Sequence, residues 1–132
     1  MEAAAANSAV APVREFIARV NTHDPHGLVL LCTRDHVFID SLGTRLSGLT
    51  HIEQAWIGYF SLFPDYLIEI EALASRDALV LLSGWASATY RGSGPAWRIP
   101  CAWRAVVFGG HIAEWQVFAD NKPVYEILNR DA

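Results

Sequence analysis

The sequence predicts an α+β domain shaped as a cone, with N-terminal helices packed on a strongly curved antiparallel or mixed sheet around an apolar pocket. Three observations lead there. Apolar residues recur with helical spacing in the first half of the chain and with strand spacing in the second, and helices followed by strands is an α+β order. Hydrophobic residues make up 52% of the 132, and charged residues only 18%, against about 25% in an ordinary domain. That excess of apolar surface calls for a pocket or a subunit interface to cover it. Finally, a long helix laid across a twisted sheet leaves one end open, with Trp, Tyr and Phe residues at the inward positions.

Residues 1–7 read as a flexible tail: Met1–Ala6 has neither the positive flank nor the sustained apolar stretch of a secretory signal. Residues 8–132 then form one domain, since no repeat or linker interrupts them. A first helix is expected over Ser8–Thr22, with Val10, Val13, Phe16, Ile17 and Val20 on one face and Pro12 near its first turn. Asp24-Pro25 breaks the chain before a short helix near His26–Thr33. His36–Asp40 is a brief strand, and Ser41–Gly48, polar and with two glycines, a loop. Thr50-His51-Ile52-Glu53 has the form of a capping box, in which Thr50 and Glu53 satisfy each other's free N–H groups. The stripe Ile52, Ala55, Trp56, Tyr59, Phe60, Phe63 continues that helix to Pro64.

Tyr66–Glu71 alternates as a half-solvated strand, and Ala78–Tyr90 is a second, longer one. After the turn Arg91–Pro95, Trp97–Phe108 forms a third strand in which Pro100 requires a bulge or an edge. Gly109-Gly110 is a two-residue hairpin turn leading into a last long strand, His111–Ala119. Asn121–Asn129 closes the chain as a helical turn and a tail.

Net charge is −4 and Lys and Arg form no run, which argues against nucleic acid and anionic membranes as partners. Apolar runs such as Ala78–Leu82 are too short to span a bilayer. Cys32 and Cys101 lie far apart and in no metal-ligand spacing, so they read as reduced, buried thiols of a cytoplasmic protein. His23, His26, His36, His51 and His111 read as surface residues, and neither a metal nor an organic cofactor is expected.

Several segments carry a resemblance. Asn21-x-x-Asp24, the strand His36-Val37-Phe38-Ile39-Asp40, the loop pieces Leu42-Gly43 and Ser47-Gly48, and the helix opening at Thr50 look like ketosteroid isomerase. Phe63-Pro64-Asp65-Tyr66, and Gly110-His111-Ile112-Ala113-Glu114-Trp115 through Asp120, resemble SnoaL-like polyketide cyclases of the same wider group, which also includes nuclear transport factor 2. The resemblance covers nearly the whole chain and speaks to fold more than to reaction, because this fold hosts many chemistries.

What it implies centres on two carboxylates. Asp40 matches the isomerase family's general base, which removes a proton next to a carbonyl; an apolar cavity suits that work, since desolvation raises a carboxylate's proton affinity. Its alternative role is to close the strand and hold the Ser41–Gly43 turn. Asp120 matches the base of the cyclases; the alternative is that Asp120 or Asn121 caps a short terminal helix with Pro123 just inside it. The isomerase's two donors to the developing enolate oxygen fall on Phe16 and Ala102, and its supporting tyrosine on Trp56, so Trp56 and Tyr59 are the remaining candidate donors. Arg104 is a candidate to stabilise an oxyanion or to pair with Asp40 or Asp120, or else an exposed strand residue. The last-strand Asp of limonene epoxide hydrolase falls on Val117. Ligand contacts are therefore expected from Phe16, Trp56, Tyr59, Phe60, Ala102, Arg104, Trp115 and Val117.

The function implied is a cofactor-independent isomerase, cyclase or lyase acting on an apolar carbonyl compound of polyketide, terpenoid or steroid type. The alternative is a non-catalytic ligand-binding or association module. A homodimer is expected, with outward residues such as Trp103 under the partner, while Trp97, at a strand start, fits the mouth of the cone or a dimer surface.

Overall fold

The computed structural model describes residues 2–130, and side chains from residue 8 to residue 130. Helix α1 (Glu2–Asn21) buries Ala9, Val13, Phe16, Ile17 and Val20, the apolar stripe read from the sequence. It begins at Glu2 rather than Ser8, which puts Pro12 inside the helix instead of in its first turn. The tail expected over 1–7 falls on Met1, outside the described residues, and on a stretch whose backbone is helical from Glu2.

Helix α2 (Pro25–Leu30) opens on a proline, whose fixed φ and missing N–H suit a first helical position, and the Asp24 carboxylate accepts the Gly27 N–H at 2.9 Å. It stops short of Thr33 because β1 (Cys32–Ile39) is drawn into a parallel pairing with β6 (His111–Ala119) from Cys32 onward. The expected Ser41–Gly48 loop contains a three-residue strand, β2 (Arg45–Ser47), hairpinned against β1 through Ile39↔Arg45 and Phe38↔Leu46. Helix α3 (Leu49–Leu62) carries Ile52, Trp56 and Phe60 inward as expected, but Gly48 is its N-cap and no side chain caps it. The capping box therefore does not form: Thr50 already lies within the first turn, and Gly48, at φ 90°, takes the entry conformation that a side chain would resist.

The remaining strands are β3 (Leu67–Arg76), β4 (Leu79–Thr89) and β5 (Ala96–Phe108), and α4 (Lys122–Arg130) closes the chain as a full helix rather than a single turn. Together they make an α+β fold, four helices on one open six-stranded sheet ordered β2-β1-β6-β5-β4-β3. Only β1 and β6 run parallel, so the sheet is mixed. Gly109 and Gly110 both have positive φ, the signature of the tight hairpin turn that joins β5 to β6. Pro100 faces Trp85 of β4 where the β6 pairing has already ended at Cys101↔Ala119, so its missing N–H falls at a local edge. Irregularities at Ile70/Ala72 and Val106/Val107 bend the sheet.

Alternation decides what faces the helices. On β5, Trp97, Ile99, Cys101, Trp103, Ala105 and Val107 point inward, while Arg98, Pro100, Ala102, Arg104 and Val106 point away. Trp103, expected outside, is 1% exposed and belongs to the core. Trp97, expected at a mouth or dimer surface, is likewise buried. No described helix is long and apolar enough to cross a membrane.

His36, expected on the surface, is fully buried between β1's neighbours, with Nδ1 2.7 Å from the Ile112 carbonyl and Nε2 without a partner. That bond requires the Nδ1–H tautomer. Burial depresses its pKa, opposed by the Ile112 bond and by the nearby Glu114 and Asp35 carboxylates. The unfolded chain therefore takes up this proton first. Stability is whole above pH about 6.5 and falls as pH drops through the folded value, with a slope of up to about 1.4 kcal/mol per pH unit. Urea midpoints at pH 7 and pH 5 should separate further for the wild type than for His36→Leu; equal separations count against this role.

Candidate functional site

The open end of the cone encloses a cavity of about 270 Å³. This lies near the lower end of the range of about 300–1,000 Å³ usual for ligand sites, which favours a compact ligand. Its walls come from four places. Helix α3 supplies Ile52, Ala55, Trp56 and Tyr59; β1 and its loop supply Phe38, Asp40 and Ser41. The inward positions of β4, β5 and β6 supply Ala86, then Trp97, Ile99 and Cys101, then Trp115, Val117 and Ala119. Helix α4 covers the mouth with Val124, Tyr125 and Leu128.

Asp40 is the one carboxylate among these lining residues. It sits where β1 ends, and its Oδ1 accepts the backbone N–H groups of Leu42 and Thr44, each at 2.9 Å. Its backbone N–H donates to the Thr44 carbonyl at 3.0 Å. The turn-holding role of Asp40 is thus realised through Oδ1, while Oδ2 makes no hydrogen bond among the described residues. Beside it, the Asn121 amide donates to the Ser41 hydroxyl at 2.7 Å and ties the end of β6 to the end of β1.

Trp56, Tyr59, Trp115 and Val117 line the cavity as expected. Phe16 and Phe60 do not: both are buried one layer behind, Phe16 against Trp115 with ring centroids 4.6 Å apart and Phe60 against Trp56 at 5.4 Å. Ala102 and Arg104 are on the opposite face of the sheet, because even-numbered residues of β5 point outward. There Arg104 donates to Glu114 of β6 at 2.7 Å, an ion pair outside the cavity. Asp120 also falls outside. Trp115, Val117 and Ala119 point inward, so the next residue points away, and its Oδ1 accepts the Lys122 N–H at 3.0 Å at the start of α4. Its carboxylate turns the chain into α4 from one residue before the cap position, which Asn121 holds, its carbonyl accepting the first helical bond from the Tyr125 N–H.

Among the cavity residues outside that expectation, four bear on the chemistry or shape of the site. Asn121 takes the inward position after Ala119 that Asp120 was expected to hold, and the alternation along β6 already pointed to it. Trp97 shares the inward parity of Ile99 and Cys101, again a visible signal. Tyr66 precedes β3 and reaches the cavity only through its packing on Tyr59 and Trp97, at centroid distances of 5.0 and 6.1 Å. Nothing in local spacing marks it. Tyr125 depends on a terminal helix longer than the sequence suggested. Burial raises the pKa of Tyr59 and Tyr66 well above the ordinary phenol value and pushes the Cys101 thiol up to about 11, so all three stay protonated at neutral pH. Cys32 and Cys101 are both free and buried. Among the described residues no three His, Cys, Asp or Glu side chains gather as a metal ion would require.

The SnoaL-like domain model matches residues 13–115. The chain belongs to the SnoaL-like domain family. Its matched segment includes Asp40, Trp56, Tyr59, Tyr66, Trp97 and Trp115, most of the cavity wall of this SnoaL-like domain, and stops before α4. Solved structures similar to it include a candidate SnoaL-like polyketide cyclase from Jannaschia sp. CCS1, with a TM-score of 0.81, 15% identity, and 92% of this chain and 91% of that chain covered. An M. tuberculosis LEH-like epoxide hydrolase gives 0.79 at 15% identity, covering 95% and 92%. An NTF2-like protein from Burkholderia thailandensis gives 0.78 at 18% identity, covering 91% and 96%. At these identities the likeness establishes the shared fold. No curated protein matches the sequence.

Proposed function

We propose that this SnoaL-like domain is a cofactor-independent isomerase, cyclase or lyase that binds an apolar carbonyl compound in its cavity, with Asp40 as the base. The observation that carries the proposal is Oδ2 of Asp40: the one carboxylate among the described lining residues, next to Ser41 and Asn121 in a cavity walled mainly by aromatic and aliphatic side chains. In the proposed step Oδ2 takes a proton from the carbon next to the carbonyl. The C–H electron pair moves into the bond to the carbonyl carbon, and negative charge develops on the oxygen. Asp40 then returns the proton to a different carbon, or the enolate carbon attacks a second carbonyl, whose π pair moves onto its oxygen and takes the proton back from Asp40. Charge on that oxygen needs hydrogen-bond donors, which Trp56 and Tyr59 are positioned on the wall to offer. The epoxide hydrolase chemistry of the M. tuberculosis neighbour fits less well, since Val117 stands on the cavity strand and Arg104 is paired outside.

A second reading, ligand binding without catalysis, is favoured by the engagement of Asp40 Oδ1 in its own turn and by Phe16 and Ala102 at the isomerase's donor positions. Proton exchange separates the two. In heavy water, with a panel of β,γ-unsaturated ketones and polyketide-like esters, the wild type should introduce deuterium next to the carbonyl. Asp120→Asn should do so within about twofold of that rate, its carboxylate being outside the cavity. Absence of deuterium from ligands that demonstrably bind leaves only the binding reading.

A homodimer belongs to the same proposal. Leu81, Phe118 and Phe108 are exposed on strands of the outer sheet face, where the expectation had placed Trp103. Light scattering at micromolar concentration should give twice the 14.6 kDa chain mass; a clean monomer mass counts against it.

A further inference from the structure

Two phenol groups in the cavity have no hydrogen-bond partner among the described residues. Tyr66 is 7% exposed, and neither its hydroxyl nor that of Tyr59 makes a hydrogen bond among the described residues. Their rings meet edge to face. The sealed, partnerless donors of the core include the indole nitrogens of Trp97 and Trp115 but not these two hydroxyls, which therefore open into the cavity. Polar groups held in an apolar site keep their donors unmatched only where something else supplies the acceptor. The surroundings supply little: Ala86, Trp97, Ile99 and Cys101 bring no carboxylate, amide or aliphatic hydroxyl.

Tyr66 is also remote from Asp40, and Tyr59 lies between, its ring centroid 6.5 Å from that of Trp56 and 5.0 Å from that of Tyr66. Asp40 follows β1, whereas Tyr66 packs on Trp97 of β5, two strands away across β6. Two strand spacings amount to about 10 Å between backbones. A ligand that meets both thus has two ends with different chemistry.

We infer that Tyr66 and Tyr59 form an acceptor-oxygen subsite, donating hydrogen bonds to a ligand carbonyl oxygen on the side of the cavity away from Asp40. The inference rests on the reading of the cavity as a carbonyl-ligand site, but not on Asp40 being a base. Both phenols remain protonated at neutral pH, as a donor pair must. The subsite uses residues other than Phe16 and Ala102, where the resemblance to the isomerase located its donors. It selects for acceptor oxygens over hydroxyl-free hydrocarbons of the same shape.

The test uses a non-isomerising ketone, 2-acetylnaphthalene, and its hydrocarbon isostere, 2-isopropylnaphthalene, titrated into the full-length protein. Wild type should bind the ketone about five- to tenfold more tightly than the hydrocarbon. Tyr66→Phe should abolish that preference by weakening the ketone alone, leaving the hydrocarbon within about twofold. The carbonyl stretch of the bound ketone should shift to lower wavenumber in wild type and back in the variant. Should Tyr66→Phe fail to fold, Tyr59→Phe should show the same pattern. Equal affinities in wild type, equal losses for both probes, or an unmoved carbonyl stretch overturn the inference. Asp40→Asn should keep the ketone preference, so a failure of Asp40 as base and a failure of this subsite give different results.

Discussion

Asp40→Asn should lower kcat by about 10²–10⁴-fold on any carbonyl substrate that the wild type turns over, with KM changed only a few-fold. The asparagine is nearly isosteric, and its amide oxygen can still accept the Leu42 and Thr44 N–H groups that hold the turn at the end of β1. What it loses is the second oxygen's capacity to take a proton. Melting temperature should stay close to the wild type's, which separates the loss of a base from the loss of a fold. Steady-state kinetics on the most active ketone of the panel checks this. An unchanged kcat would mean that Asp40 only closes its strand and that turnover draws on a different base.

The largest effect on stability is expected from Trp115→Ala, at about 3–5 kcal/mol. Trp115 is fully buried on β6, flanked by Phe38 of β1 and Ala105 of β5, and its ring packs on Phe16. Removing the indole empties the wall between cavity and core, and no flexible side chain is placed to fill the gap. Since a domain's whole stability is about 5–15 kcal/mol, the variant should be close to unfolding at physiological temperature. Trp115→Phe should cost much less, because the ring contact with Phe16 survives and the indole N–H that disappears had no partner. Urea denaturation of both variants measures this; a loss under about 1 kcal/mol for Trp115→Ala would show that the cavity wall is not a packed layer.

These expectations rest on how much of the molecule its sequence specifies. Strand alternation from Tyr66 to Ala119 and the Gly109-Gly110 turn were readable because a sheet with one buried face imposes period two, and positive φ at both turn positions selects glycine. The stripe of α3 was equally clear. Its start was not: Thr50 and Glu53 satisfy the capping pattern, yet Gly48 begins the helix because the chain must turn sharply out of β2. β2 itself has only three residues, too few for alternation to register, and it exists because β1 offers it an edge. His36 looked like a surface residue because nothing local announces a carbonyl from β6, far along the chain, waiting for its Nδ1.

The site follows the same division. Asp40 stood out because a carboxylate ends an apolar strand. Ala102 and Arg104 were carried into the pocket by analogy, although the bulky residues of β5, Trp97, Ile99, Cys101 and Trp103, all sit at the other parity. The same alternation excluded Asp120 and favoured Asn121. Tyr66 lay beyond reach of any such argument: its role comes from a T-shaped contact with Tyr59 that only the assembled fold creates.

The central claim is that one apolar cavity holds the ligand with Asp40 in its wall. The most direct measurement is a crystal structure of the protein grown with a tightly binding ketone from the panel. The account predicts ligand density between Trp56, Tyr59 and Trp115, with the carbon next to the carbonyl within about 3–3.5 Å of Asp40 Oδ2. An empty cavity, with the ligand seated instead in the shallow depression beside Asp120 or on the outer face of the sheet, would contradict it.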